Sequence, residues 1–161
     1  MINLRYLMFF LLFDTVLANA EAPSPKLRNQ SGGWNLNAMP ETLDGRWRLV
    51  ERQNFHLVYI DTKSITRTSD DVVVWLKTFY REPWNVLGME MDKDKLPVTS
   101  LEHTFVNCRN REIAWGEHLA WSRTGATISY SLAADSSRKY VTIKPDGRLD
   151  ERLYETLCID N

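Results

Sequence analysis

The chain has 161 residues, with 20 Lys+Arg against 21 Asp+Glu and a formal net charge of -1. That balance argues against a basic nucleic-acid footprint, and 25% charged with 43% hydrophobic residues is the composition of a folded domain, not of a disordered chain. Two cysteines exclude a disulfide-dense scaffold and a four-thiolate zinc site.

At the N-terminus Arg5 precedes an apolar run from Tyr6 to Phe13, extended weakly past Asp14 to Val16 and Leu17. A bilayer span needs about 20 apolar residues, so the run suits a secretory signal and not a lasting anchor. Ala18-Asn19-Ala20 is an A-x-A cleavage signature, and a cut after Ala20 leaves Glu21 first. The competing Ala20-Glu21-Ala22 would place Pro23 directly after the cut. No cysteine stands near the site to carry a lipid. Residues 1–20 are therefore expected to be a signal peptide. Residues 21–43, with Pro23, Pro25, Pro40, Gly32 and Gly33 and no period of 2 or 3.6, are expected to be a flexible leader. The domain is expected over 44–161. The destination is outside the cytoplasm: the periplasm, or the cell surface or medium without a lipid anchor.

Strand character begins at Trp47-Arg48-Leu49-Val50 and returns at His56–Ile60. Asp61 then closes the second run, and its side chain can cap the N–H groups of Thr62 to Ile65. Val72 to Tyr80 is apolar on both alternating faces, which predicts a central strand buried on both sides. Residues 81–99 hold Pro83, Gly88, Pro97 and the charge run Asp92 to Lys95, and predict a long connection. Strands follow over Ser100–Cys108 and Glu112–Trp121, where Ile113, Trp115, Leu119 and Trp121 share one parity broken by Glu117. Ala126–Leu132 alternates, and Tyr140–Ile143 is a short last strand.

The period then changes. Leu149, Leu153 and Leu157 repeat at i, i+4 and i+8, with Tyr154 and Cys158 on the adjoining arc, and Asp146 stands where it can cap. The fold class is α+β: one antiparallel β-sheet of about six strands packed against a C-terminal α-helix. In an oxidising compartment the isolated pair Cys108 and Cys158 is expected to join and pin the helix to the sheet.

Catalytic and metal motifs are absent from the sequence. His56, His103 and His118 have no ligand-spaced neighbours, and Asp92 and Asp94 are followed by Leu96 and Pro97 where a calcium loop needs an oxygen and a glycine. No metal and no cofactor are implied, and Glu102, Glu112 and Glu117 carry no assigned acid/base role. Among the tryptophans, Trp47, Trp75 and Trp115 are expected in the core. Trp34 and Trp84 fall in loops, as binding anchors or folded back on the domain. The 81–99 segment, with Trp84, Met89 and Met91, is the candidate binding loop.

From Trp47 to Ile159 the chain resembles the surface-adhesin protein E family of Gram-negative bacteria. The resemblance rests on Trp47-Arg48-Leu49-Val50, Tyr59-Ile60-Asp61 with Ser64-Ile65, Val72–Phe79, Asn107-Cys108, and Ile143-Lys144-Pro145-Asp146 leading to Leu157-Cys158. It implies a small antiparallel sheet on a C-terminal helix, with the cysteines bridged. It also implies binding of host matrix proteins such as vitronectin and laminin. Two features depart from the adhesin pattern. No lipidated cysteine is present, and the stretch before Asn107, basic in the adhesin, is here mixed in charge. Two functions follow as expectations. The first is an exported, non-enzymatic binding domain of the bacterial envelope, with no nucleic-acid partner and no stable membrane anchor. The second is a periplasmic enzyme whose site is assembled from scattered strand residues.

Overall fold

The structure, a computed structural model, describes residues 33–83, 92, 95–131 and 138–159, with backbone alone for 129–131. The signal segment lies outside these residues.

Nine strands are present among the described residues: β1 (Thr42–Leu43), β2 (Trp47–Arg52), β3 (His56–Asp61), β4 (Thr66–Arg67), β5 (Asp71–Tyr80), β6 (Pro97–Asn107), β7 (Glu112–Ser122), β8 (Thr127–Ser131) and β9 (Val141–Thr142). They form one antiparallel sheet in the order β1-β2-β3-β5-β6-β7-β8, with β4 also on β5 and β9 also on β7. The fold class is the expected one, and the strand count is nine instead of about six. Strands β1 and β4 are two-residue pairings, too short to show any alternation in sequence.

Strand β5 is central. Its even residues Val72, Val74 and Leu76 pack with Val58, Ile60, Val106 and Ile113 in one core. Its odd residues Trp75 and Phe79 pack with Leu57, Tyr59, Leu101 and Leu119 in another. The sheet therefore has two apolar faces, and each needs a cover.

The cover of the Val72 face is the C-terminal helix. Helix α1 (Leu149–Tyr154) widens into a π-helical turn over Glu155–Ile159. Leu153 and Leu157 are fully buried, and Leu149, Tyr154 and Cys158 pack beside them. Cys108 and Cys158 are joined, with Cα atoms 5.6 Å apart. Arg67 Nη2 donates to Leu157 O (2.9 Å), and Arg111 pairs with Glu151 (3.1 Å) while lying over the Tyr154 ring. Asp146 does not cap the helix. The N-cap position is Arg148, whose N–H donates to Asp146 Oδ1, and Glu151 instead reaches back to Gly147 N.

The cover of the Phe79 face corrects the sequence expectation. Residues 33–43 are not a loose leader but a strap across the sheet. Trp34, Leu36, Met39 and Leu43 are buried in the same core as Phe79. The Trp34 indole stands edge-on to Phe79 (5.2 Å) and donates from Nε1 to Val98 O (2.8 Å) and Thr99 Oγ1 (3.0 Å). Arg52 donates to Leu36 O and Met39 O, and Tyr59 Oη donates to Pro40 O (2.7 Å). Gly33 is required by close approach, since a Cβ there would lie 2.0 Å from Arg81 O. Of the two open alternatives for Trp34, the indole is folded back on its own domain.

Trp47 is buried as expected and Trp75 is half-buried, but Trp115 is 38% exposed. The reason is a register shift. Glu102 pairs with His118 while Thr104 pairs with Trp115, so β7 carries one residue more than β6 between these points. Ile113 and Trp115 therefore share the helix side of the sheet, and Leu119 and Trp121 lie on the strap side. The four do not share one face.

The contrast between Trp34 and Trp115 is testable by thermal or denaturant unfolding. Trp34→Ala should cost about 3–5 kcal/mol, as for a fully buried aromatic. Trp115→Ala should cost under about 1 kcal/mol.

Candidate functional site

The β6–β7 bulge builds the most organised group of polar and aromatic side chains on the open end of the strap-side face. A bulge re-aims the side chains on the strand that carries the extra residue. Here Gly116 and Glu117 stand opposite His103. Gly116 suits the position because a Cβ would lie 2.7 Å from Phe105 Cε2 and 3.2 Å from His103 O. Glu117 is thereby turned onto His103, with Oε2 2.8 Å from Nδ1.

The opposite side of His103 is fixed by β5. Trp75 and His103 are cross-strand partners, and their rings stack at 4.5 Å with an interplanar angle of 11°. Phe105, two residues along β6, has its ring 4.7 Å from His103. The Arg138 guanidinium lies 3.6 Å above the Phe105 centroid. Trp75, His103, Phe105, Glu117 and Arg138 thus form a continuous aromatic and charged shelf. Trp75, His103, Glu117 and Arg138 are only partly buried. These are side-chain types that anchor macromolecular contacts: flat rings of large area, and a guanidinium over an aromatic face.

Among the described residues His103 contacts Glu117, Trp75 and Phe105. The second histidine–carboxylate pair, His56 Nε2 to Glu51 Oε2 at 2.8 Å, ties β3 to β2. Among the described residues no group of three His, Cys, Asp or Glu side chains is arranged to hold a metal ion.

Beside the shelf, a charged group on the same face is structural. Asp61 is fully buried and receives a two-pronged grip from Arg46, whose Nε donates to Oδ1 at 2.7 Å. That hydrogen bond raises the Arg46 guanidinium further above its ordinary range. Asp61 Oδ1 also accepts from Lys63 N (3.1 Å), the local cap that its sequence position suggests. Lys77 is buried against the Trp47 and Phe79 rings, at 5.2 and 5.4 Å, and burial lowers its ammonium pKa.

The sequence-derived binding candidates Trp84, Met89 and Met91 lie outside the described residues, as do Ala18 and Ala20 of the cleavage signature. Cys108 and Cys158 are where the sequence put them. The shelf itself was not anticipated. Trp75 reads as core and His103 as a lone strand histidine, and their adjacency depends on strand register. One signal was available: the parity of β7 breaks at Glu117, directly after a strand glycine.

The described residues thus form a disulfide-pinned α+β domain that carries a partly exposed shelf of aromatic and charged side chains. Residues 47–159 match the family model Surface-adhesin protein E. The chain belongs to the surface-adhesin protein E family. Among solved structures it is similar to Haemophilus influenzae protein E in crystal form II, at 15% identity over 74% of this chain and 91% of that chain, with a TM-score of 0.51. It is also similar to protein E from non-typeable Haemophilus influenzae, at 16% identity over 74% of this chain and 79% of that chain, with a TM-score of 0.49. The first of these likenesses shows a shared fold. No curated protein sequence matches the chain. Among the described residues no helix is long and apolar enough to cross a membrane.

The structural role of the Arg46–Asp61 pair can be checked by unfolding. Arg46→Met leaves a buried carboxylate without its cation and should cost about 3–5 kcal/mol. A loss below about 1 kcal/mol would show that water reaches Asp61.

Proposed function

We propose that this protein is an exported, non-enzymatic surface adhesin of a bacterial envelope, binding host macromolecules of the matrix type such as vitronectin or laminin. The observation that carries this is the family match over residues 47–159. The shelf of Trp75, His103, Phe105, Glu117 and Arg138 supports it by supplying a preorganised contact surface. The 81–99 segment, with Trp84, Met89 and Met91, is a second candidate contact. Net charge near zero means that affinity rests on aromatic and hydrogen-bonded contacts more than on charge. It should therefore fall only modestly as salt rises.

The test is binding of the mature protein to immobilised vitronectin, laminin and a native envelope extract. Wild type should bind at least one host protein. His103→Ala should reduce that binding about tenfold or more if the shelf is the contact, as for a hot-spot residue. Trp84→Ala assigns the contact to the 81–99 segment if it, and not His103→Ala, reduces binding. Wild type binding neither host protein but retaining envelope partners would replace adhesion by an accessory role inside the envelope.

Export predicts a mature chain beginning at Glu21. N-terminal sequencing of the protein from the periplasmic or surface fraction checks it, and a chain still starting at Met1 there would refute cleavage after Ala20.

A further inference from the structure

The His103–Glu117 pair leaves two acceptors open on the shelf. Glu117 Oε2 lies 2.8 Å from His103 Nδ1. An ionised carboxylate only accepts, so Nδ1 carries the hydrogen, and in the neutral imidazole Nε2 keeps its lone pair. Among the described residues nothing donates to His103 Nε2 or to Glu117 Oε1. Neither atom is among the buried polar atoms that lack a partner, so solvent reaches both.

Other carboxylates of the sheet are filled. Asp61 accepts from Arg46 and Lys63 N. Asp71 accepts from Asn107 Nδ2 on one oxygen and from Tyr140 Oη on the other. Glu51 accepts from Gln53 on one oxygen and faces His56 with the other. The cations on the strap-side face are engaged too. Arg138 lies 3.6 Å over the Phe105 ring and hydrogen-bonds to Tyr140. Lys77 is buried against Trp47 and Phe79. Around His103 the shelf therefore offers open acceptors, one of them on a charged carboxylate, beside the Trp75–His103 stack.

We propose that the His103–Glu117 end of the shelf is a receptor for an arginine side chain of the partner protein, with the guanidinium against the Trp75–His103 rings and donating to His103 Nε2 and Glu117 Oε1. This rests on the reading of the shelf as the contact surface. A guanidinium has donors and no acceptor, which matches the open atoms. It is planar, it stacks on aromatic rings, and its N–H groups stand in a fixed fork that can serve more than one acceptor. An ammonium has the charge but no flat face to lay on the rings. A neutral hydroxyl or amide displaces water from the carboxylate without supplying a countercharge. Glu117 has two roles here: it fixes the His103 tautomer through Oε2, as a positioning residue, and it meets the cation through Oε1. A single partly exposed ion pair of this kind adds only a modest salt dependence.

The experiment is an NMR titration of the intact mature protein in mildly alkaline buffer. The probes are a capped glycine–arginine–glycine peptide, its lysine counterpart, and its citrulline counterpart, which keeps the shape of arginine and loses the charge. The ring nitrogens of His103 should report the Nδ1–H tautomer, and the Nε2–H tautomer would overturn the proposal. The arginine peptide should move the His103 and Trp75 ring signals and bind on the order of tenfold more tightly than the citrulline peptide. Equal affinity of those two, or shifts confined to other surfaces, would overturn the site. Lysine binding as tightly as arginine would overturn its preference for a guanidinium. Glu117→Gln should remove most of the tenfold preference, while Glu112→Gln on the same strand should keep it. Loss in both variants, or in neither, counts against Glu117 as the contact. Should Glu117→Gln not fold, the wild-type tautomer and the wild-type titrations still decide. Adhesion to vitronectin or laminin is read separately. Peptide selectivity in a protein that binds neither supports the arginine site and removes the adhesin reading, whereas adhesion without peptide selectivity keeps that reading and overturns the site.

Discussion

Everything in this domain depends on β5 being apolar on both faces. A sheet with one greasy side needs one cover, but this sheet needs two, and neither cover is stable alone. The helix is a short α segment extended by a π turn, below the roughly 12–15 residues at which an isolated helix becomes marginal in water. The strap over 33–43 has a single 3-10 turn, Leu36–Ala38, and the two-residue strand β1 at its end. Each is held by tethers. The helix has Leu153 and Leu157 in the core and the Cys108–Cys158 bridge at its end. A bridge closing about 50 residues removes roughly 4 kcal/mol of unfolded-state freedom in the chain-entropy account, a large share of an ordinary domain's stability. The strap has no covalent tether. Its substitutes are the Trp34 indole bonded to β6, Arg52 spanning two strap carbonyls, and Tyr59 bonded to Pro40. Burial raises the Tyr59 phenol to about 12, so it stays an O–H donor across the physiological range.

The asymmetry between the covers explains what could be seen in sequence. Strands β2, β3, β5, β6, β7 and β8 show as period-2 or doubly apolar runs, because side chains alternate regardless of what packs on them. The helix shows as Leu149, Leu153 and Leu157 for the same reason. The strap shows nothing. Trp34, Leu36, Met39 and Leu43 have irregular spacing among Gly33 and Pro40, and their burial is decided by a surface made of residues far along the chain. Composition of this kind marks a leader as readily as a cover. Trp115 fails for a subtler reason. Alternation is a local rule, and one extra residue in β7 reverses it for everything on one side of the insertion.

That same insertion makes the shelf. In an unbulged β7, Glu117 would lie on the helix side with Ile113 and Trp115, away from His103. With the bulge, a carboxylate meets the imidazole on one side while Trp75 stacks on the other. The cost is borne at Gly116, where no larger side chain fits against Phe105. Individual residues thus announced the site poorly, because its content is a pairing of β5, β6 and β7 at one register point. The disulfide, by contrast, could be anticipated from residue type and compartment alone.

The placement of the shelf on strands, not loops, bears on how such a domain can adhere. Ordering a mobile contact residue on binding costs roughly 0.5–1.5 kcal/mol per side chain. His103 is already fixed between a stacked ring and a carboxylate, and Arg138 already rests on Phe105, so little of that cost remains. The price of a prebuilt surface is exposure of aromatic area to water before the partner arrives. The shelf limits it by stacking its rings on each other and leaving Trp75 only half-buried. The rest of the fold limits it further, because strap and helix each close one apolar face and leave the shelf as an organised, partly exposed aromatic group at the open end of the strap side. A flat, rigid, nearly neutral patch of this kind favours a partner that presents its own apolar and hydrogen-bonding surface over one that presents only charge.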